Sequence, residues 1–304
     1  MKKNTVRAPG ALSHLGAALI ATLAAGAALA QTPAPAAAPA APPALPTAEQ
    51  TDPARLGWMV GSPPPADKLI RFADGSFYTF PRFRWTFSNT RQFGPTTNVS
   101  RGIGAVSPLP RAERADLDAV SFTPLGKSEP MTWAQAFNAN FTDGIVVLHK
   151  GRVVYERYGG VFRDDKHVAQ SVTKSFFGLI GQMLVAEGKL DENAKVSQYV
   201  PELKDSAFGD ATVRQVLDMR TGLKYSENYA DPKAEVWDHI RSGGVLPRPP
   251  GYAGPQTFYE FLQTVKKEGE HGGNFTYKTV NTDTLGWIIR RVTGQSVGEA
   301  LGDR

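Results

Sequence analysis

From Gly144 to Tyr158 apolar and polar positions alternate on either side of Lys150-Gly151. A period of two flanking a Gly-containing dipeptide predicts an antiparallel strand pair that turns there. Further along, apolar residues recur at helical spacing, which predicts helices at 171–187, 211–219, 256–267 and 281–292, with a shorter one over Met131 to Asn140. Between them, 222–255 is polar and rich in Gly and Pro and reads as a loop. Residues 51–130 are rich in Pro, Gly, Arg and aromatics without sustained periodicity. They predict an irregular segment with short strands near Leu69 to Phe72 and Phe77 to Phe87. No internal repeat is visible, and strands mixed with helices make this an α/β (α+β) chain.

Composition changes the picture mainly at the N-terminus. Lys2, Lys3 and Arg7 precede an apolar run from Leu15 to Leu29 that ends in Ala28-Leu29-Ala30. This is the pattern of a secretory signal peptide over residues 1–30, with cleavage after Ala30, and it predicts a periplasmic or secreted protein without a stable membrane anchor. Residues 31–50, dominated by Ala and Pro, read as a linker. A segment at 51–130 and a catalytic domain at 131–304 complete the expected organisation. The net charge of +5 includes three basic and no acidic side chains in the first thirty residues, leaving +2 for the remainder. With no Lys/Arg block beyond that point, a nucleic-acid partner is not expected. There is no cysteine, which excludes disulfides, thiolate metal sites and a cysteine nucleophile. His149, His167, His239 and His271 stand apart from one another, without metal-ligand spacing. Neither a metal nor an organic cofactor is expected.

Candidate chemistry centres on Ser171-Val172-Thr173-Lys174. Residues three apart on a helix share a face, so the Ser171 hydroxyl and the Lys174 amine would meet at the helix start. A serine needs a base to become a nucleophile, and burial favours the neutral, basic form of a lysine. The following Phe176, Phe177, Leu179, Ile180, Met183, Leu184 and Val185 could supply apolar surroundings, with Gly178 and Gly181 allowing close approach of other elements. Backbone N–H groups at the helix start would face a developing oxyanion. The spacing alone arises about once by chance in a chain of this length on average residue usage, so its weight comes from what flanks it.

The flanking pieces resemble the serine β-lactamase and penicillin-binding superfamily, in its branch of β-lactamase-related esterases, amidases and peptidases. They come in family order: the hairpin from Gly144 to Tyr158, His167 to Lys174, Glu187 to Asp191, Val200 to Leu203, Thr212 to Leu223, and Phe275 to Gly294. Lys224 to Pro232, Gly57 to Pro65 and Phe80 to Trp85 resemble the 6-aminohexanoate-dimer (nylon oligomer) hydrolases in particular. The resemblance implies an antiparallel sheet flanked by helices, with a helical insertion beside the site. It implies an acyl-enzyme hydrolase of small linear amides or esters, in which Ser171 attacks, Lys174 takes its proton and Tyr277 relays a proton to the leaving group. It also places Tyr229 and Asn281 at the substrate. Tyr277 departs from the family's Tyr-x-Asn pattern, because Lys278 and Thr279 follow it and the nearest asparagine is Asn281.

The superfamily continues past the helix that follows this tyrosine with further strands. The chain ends at Arg304, so the resemblance carries the expectation of a C-terminally truncated product. Two other functions stay open on the same scaffold. One is a β-lactamase or D-Ala-D-Ala carboxypeptidase; the other is a penicillin-recognising binding module, or an inactive fragment, that keeps the fold without turnover.

Overall fold

The structure is a computed structural model that describes residues 46–159 and 166–304. The signal sequence and most of the linker read from the sequence lie outside the described residues. The first helices are α1 (Pro53–Leu56) and α2 (Phe83–Asn89), followed by the two-residue strands β1 (Ser121–Phe122) and β2 (Met131–Thr132) and by α3 (Trp133–Ala139). The strands expected near Leu69 and across Phe77 to Phe87 are absent. The alternating aromatics Phe83, Trp85 and Phe87 mimic a strand period, but they lie on a helix whose buried positions are the polar Arg84 and Thr86. A small cluster of Trp58, Ile70 and Phe77 is the apolar centre of this segment. Arg84 anchors the rest. Its guanidinium donates to the Ala48 carbonyl at 2.7 Å, to the Thr51 hydroxyl at 2.9 Å and to Asp143 Oδ1 at 2.9 Å.

Asp143 leads into the hairpin of β3 (Gly144–His149) and β4 (Arg152–Tyr158). The turn falls at Lys150-Gly151, with φ of 50° and 73°. Positive φ at both central residues is the turn whose twist matches two right-twisted strands, and glycine adopts it without a Cβ clash. The register runs from Gly144↔Tyr158 to His149↔Arg152, with an irregularity after Val147. Residues 110–114 run along the β4 edge, where Val153 N–H donates to the Pro110 carbonyl at 2.9 Å and Ala112 N–H to the Val153 carbonyl at 2.8 Å. Val146 and Leu148 on β3 remain exposed.

The remaining elements form one helical unit: α4 (Thr173–Ala186), α5 (Val196–Tyr199), α6 (Val213–Leu217), β5 (Leu223–Lys224), α7 (Glu235–Ser242), α8 (Phe258–Thr264), β6 (Lys266–Lys267), α9 (Val280–Thr293) and α10 (Val297–Gly302). Strand β5 pairs antiparallel with β6. All three strand pairs are antiparallel and helices flank them, so the mixed architecture read from the sequence holds. Several helix starts are capped by their own side chains. Thr212 and Ser296 each accept from the backbone three residues on while Gln215 and Glu299 reach back. Helix α7 occupies what reads as loop in the sequence. Its start has no side-chain cap, but Val236, His239 and Ser242 turn one face inward.

A single apolar core joins α4 to α10 through Ile180, Leu184, Leu203, Phe208, Leu223, Leu262, Ile288 and Ile289. Helix α4 crosses α9 closely because a Cβ on Gly181 would stand 3.0 Å from Leu217 and 3.2 Å from Leu285. Phe177 packs in return on Gly286, where a Cβ would come within 2.7 Å of its ring. Gly178, expected to play the same part as Gly181, has open space in front of it.

Candidate active site

Ser171 lies in a short 3-10 turn, Gln170–Val172, that runs directly into α4. Gln170 has φ 45°, a left-handed conformation that a residue with a Cβ adopts at a cost. Such strain concentrates at functional sites, and here it turns the chain sharply so that Ser171 is exposed at the helix start. The Lys174 amine lies 3.0 Å from the Ser171 hydroxyl oxygen. The same amine stands 5.3 Å from the centroid of the Tyr277 ring, inside cation–π range. The three residues singled out for catalysis thus meet in one place, although Tyr277 arrives from more than a hundred residues further along the chain.

The surroundings of Lys174 differ from the apolar wall read from the helix sequence. On α4 the period of 3.6 sends Phe177, Ile180, Gly181 and Leu184 toward α9 and α6. Phe176 and Leu179 fall on the opposite side and are 44% and 55% exposed. Lys174 is half-buried, and the face of Tyr277 covers its ammonium.

Tyr277 sits on a corner fixed by bonds to the loop after α6. Thr276 N–H donates to the Met219 carbonyl at 2.9 Å, and the Lys278 ammonium donates to the Leu223 carbonyl. Burial holds the Lys278 amine below its ordinary value, partly offset by the charges of Glu268 and Glu235. Asn281, expected at the substrate, is 0% exposed and faces inward. Its Oδ1 accepts from the Thr221 hydroxyl at 2.8 Å, and its amide nitrogen donates to the Lys278 carbonyl at 3.2 Å. Both ends of the side chain are spent on the protein, so the residue holds the corner rather than a ligand. This corrects its expected role.

Tyr229 is 60% exposed and stands edge-on to Trp237, with ring centroids 5.8 Å apart. Its hydroxyl donates to Glu227 Oε1 at 3.0 Å. The phenol is held above its ordinary value first by the surrounding protein mass, then by the charge of Glu227 and the bond to it, with Tyr277 contributing further.

Tyr225, His239 and Asp283 tie this loop down. The buried Tyr225 hydroxyl lies 2.8 Å from His239 Nδ1, and His239 Nε2 lies 3.0 Å from Asp283 Oδ2. That second approach is close but not aligned as a hydrogen bond, so it is an electrostatic contact. Burial, with Glu227 next, pushes the Tyr225 phenol far up. Only the tertiary fold joins 225, 239 and 283, and no local pattern announces it.

Two cavities of about 840 and 890 Å³ lie around Arg84, Phe141 and Tyr158 on the hairpin side, and Ser171 lines neither. Room alone therefore points away from the chemistry, and the paired functional groups locate it. Among the described residues no group of three or more His, Cys, Asp or Glu is placed to hold a metal ion.

A 6-aminohexanoate-dimer hydrolase of Paenarthrobacter ureafaciens is 39% identical over 227 residues, which are 74% of this chain and 55% of that protein. A solved structure from Bacillus anthracis, assigned as a 6-aminohexanoate-dimer hydrolase, superposes with a TM-score of 0.70 at 29% identity over 80% of this chain and 62% of that one. Protein flp of Staphylococcus aureus (strain MW2) is 25% identical over 174 residues, 52% of this chain and 31% of its own length. The chain thus spans little more than half the length of the first of these relatives. The family model described as Beta-lactamase matches residues 134–304, the stretch that carries Ser171, Lys174 and Tyr277, and the chain belongs to that family.

Proposed function

We propose that this chain is an exported serine hydrolase that cleaves linear amides or esters through an acyl-enzyme on Ser171. The observation that carries the reading is the 3.0 Å approach of the Lys174 amine to the Ser171 hydroxyl at a strained helix start. That is the distance a general base needs to take the serine proton as the oxygen attacks. In the reaction the Ser171 oxygen bonds to the substrate carbonyl carbon while its proton passes to the Lys174 amine. As the tetrahedral intermediate collapses, the bond to the leaving nitrogen or oxygen breaks. The leaving atom takes a proton through the Tyr277 phenol beside the lysine. Water then repeats the sequence on the acyl-enzyme and frees Ser171.

The linear-amide preference draws on the similarity to 6-aminohexanoate-dimer hydrolases and on a loop that offers the exposed Tyr229. Export draws on the signal-like pattern of the first thirty residues, and N-terminal sequencing of protein recovered from the periplasm or medium tests it. The catalytic reading is tested by intact-mass measurement after exposure to p-nitrophenyl acetate, with Ser171→Ala alongside. An acetyl adduct on the wild-type chain that is absent from the variant is expected. No adduct on a folded wild-type chain would overturn the reading, and a long-lived penicilloyl adduct on Ser171 would move the substrate class to β-lactams.

A further inference from the structure

The departure at Tyr277-Lys278-Thr279 leaves a threonine two residues after the tyrosine, and the structure shows what that threonine does. Its N–H donates to Glu227 Oε2 at 2.5 Å and its hydroxyl donates to Glu227 Oε1 at 2.7 Å. The Tyr229 hydroxyl donates to the same Oε1 at 3.0 Å. One carboxylate, half-buried in the loop between β5 and α7, therefore collects three donors from two segments some fifty residues apart.

An ionised carboxylate offers about four acceptor positions and no donor, so it can accept all three bonds at once. Two of the three donors are hydroxyls that can also accept, so glutamine could keep the contacts and only a shortened side chain removes them. The carboxylate also sits at the N-terminus of the fourteen-residue α9, where the unpaired N–H groups of the helix favour a negative charge. Its own loop is braced from the other side, because Ser226 N–H donates to Glu235 Oε2 at 2.9 Å and Val236 N–H to the Ser226 carbonyl at 3.1 Å. The consequence is mechanical. The corner that presents Tyr277 to Lys174 and the loop that presents Tyr229 are tied to one another through Glu227.

We propose that Glu227 is a positioning residue that acts through Thr279, fixing the Tyr277 phenol where it can protonate a leaving group and fixing Tyr229 beside it. This inference rests on the hydrolase reading above. It separates Glu227 from residues that merely stabilise the loop, because a misplaced proton donor matters only when the leaving group needs the proton. Phenoxide needs it more than p-nitrophenoxide does, so the dependence of rate on leaving group reports the position of Tyr277.

The test measures Ser171 acylation and turnover with phenyl acetate and p-nitrophenyl acetate for the wild-type chain, Glu227→Ala, Thr279→Val and the double variant. Misplacement by an ångström costs roughly 100-fold. Glu227→Ala, which removes all three contacts, is therefore expected to lose about 10- to 100-fold on phenyl acetate and no more than about threefold on p-nitrophenyl acetate. Thr279→Val is expected to show a smaller loss with the same leaving-group bias, and the double variant no more loss than Glu227→Ala alone, because the two residues act through one contact. Equal losses on the two esters, no loss, or full additivity would overturn the inference while leaving the hydrolase reading intact. Failure of the wild-type chain to acylate Ser171 with either ester would overturn both. Should Glu227→Ala not fold, Thr279→Val in the unchanged Glu227 background carries the same comparison of esters.

Discussion

The segment before residue 159 and the helical unit after residue 173 are held together in different ways. The helical unit has one continuous apolar core from Ile180 to Ala300, with Gly181 and Gly286 bringing α4 and α9 together. The earlier segment has a small cluster of Trp58, Ile70 and Phe77 and a few further buried apolar residues, among them Phe137, Val153 and Tyr155. It relies otherwise on the Arg84–Asp143 pair and on stacked aromatics such as Phe83 and Phe87, 5.0 Å apart. The candidate site sits where the two regions meet, but its parts are not shared evenly. Lys174, Tyr277 and the Glu227 loop rest on the helical unit and Ser171 on the turn that leads into it, whereas the face of α4 bearing Phe176 and Leu179 is open. The comparison teaches that a well-packed core fixes the candidate chemistry, while a polar junction fixes the chain that leads into it. His167, four residues before Ser171, lies 3.1 Å from Asp143 Oδ2, and Val168 N–H donates to the Phe87 carbonyl at 2.8 Å.

The largest way to break that contrast is at its polar junction. Asp143→Ala removes the carboxylate 2.9 Å from the nearly buried Arg84 guanidinium, and loss of one partner of a buried pair costs about 3–5 kcal/mol. Denaturant unfolding should show it, and a cost below about 1 kcal/mol would mean that the segment does not depend on the pair. In the helical unit, Leu184→Ala removes a fully buried side chain, with an expected loss of about 2–5 kcal/mol by the same measurement. Val146→Thr on the exposed face of β3 should change stability by no more than about 0.5 kcal/mol. A larger loss would show that this face is covered in solution.

The smallest expected effect is one of pH. Burial holds the Lys278 amine below its ordinary value, so between the folded value and that of the unfolded chain the unfolded state binds more protons. Stability contributed by this site therefore rises with pH across that window. The wild-type chain should show that alkaline rise relative to Lys278→Met in melts recorded side by side, and parallel pH curves would refute it.

How legible each region was follows from the same contrast. The hairpin, its turn at Lys150-Gly151, α4 and α9 were readable because period and turn chemistry are local properties. Ser171, Lys174 and Tyr277, which spacing and family resemblance single out in the sequence, lie together in the structure. Helix α2 was misread as strand because its aromatics recur every second residue while its buried positions are Arg84 and Thr86. Helix α7 was misread as loop because Glu235, Asp238 and Arg241 mask the inward Val236 and His239. Asn281 was assigned to substrate by its nearness to Tyr277, yet its place on α9 turns it inward onto Thr221. Glu227 lay within a recognised loop, but its part depends on Thr279, fifty-two residues away, which no local pattern could indicate.

The most direct measurement of the central claim is the rate at which a fluorophosphonate modifies Ser171 in the wild-type chain and in Lys174→Met, with both chains shown to be folded. Removal of a positioned general base is predicted to slow the reaction by about 100-fold or more. Equal rates in the two chains would contradict the claim that Lys174 activates Ser171.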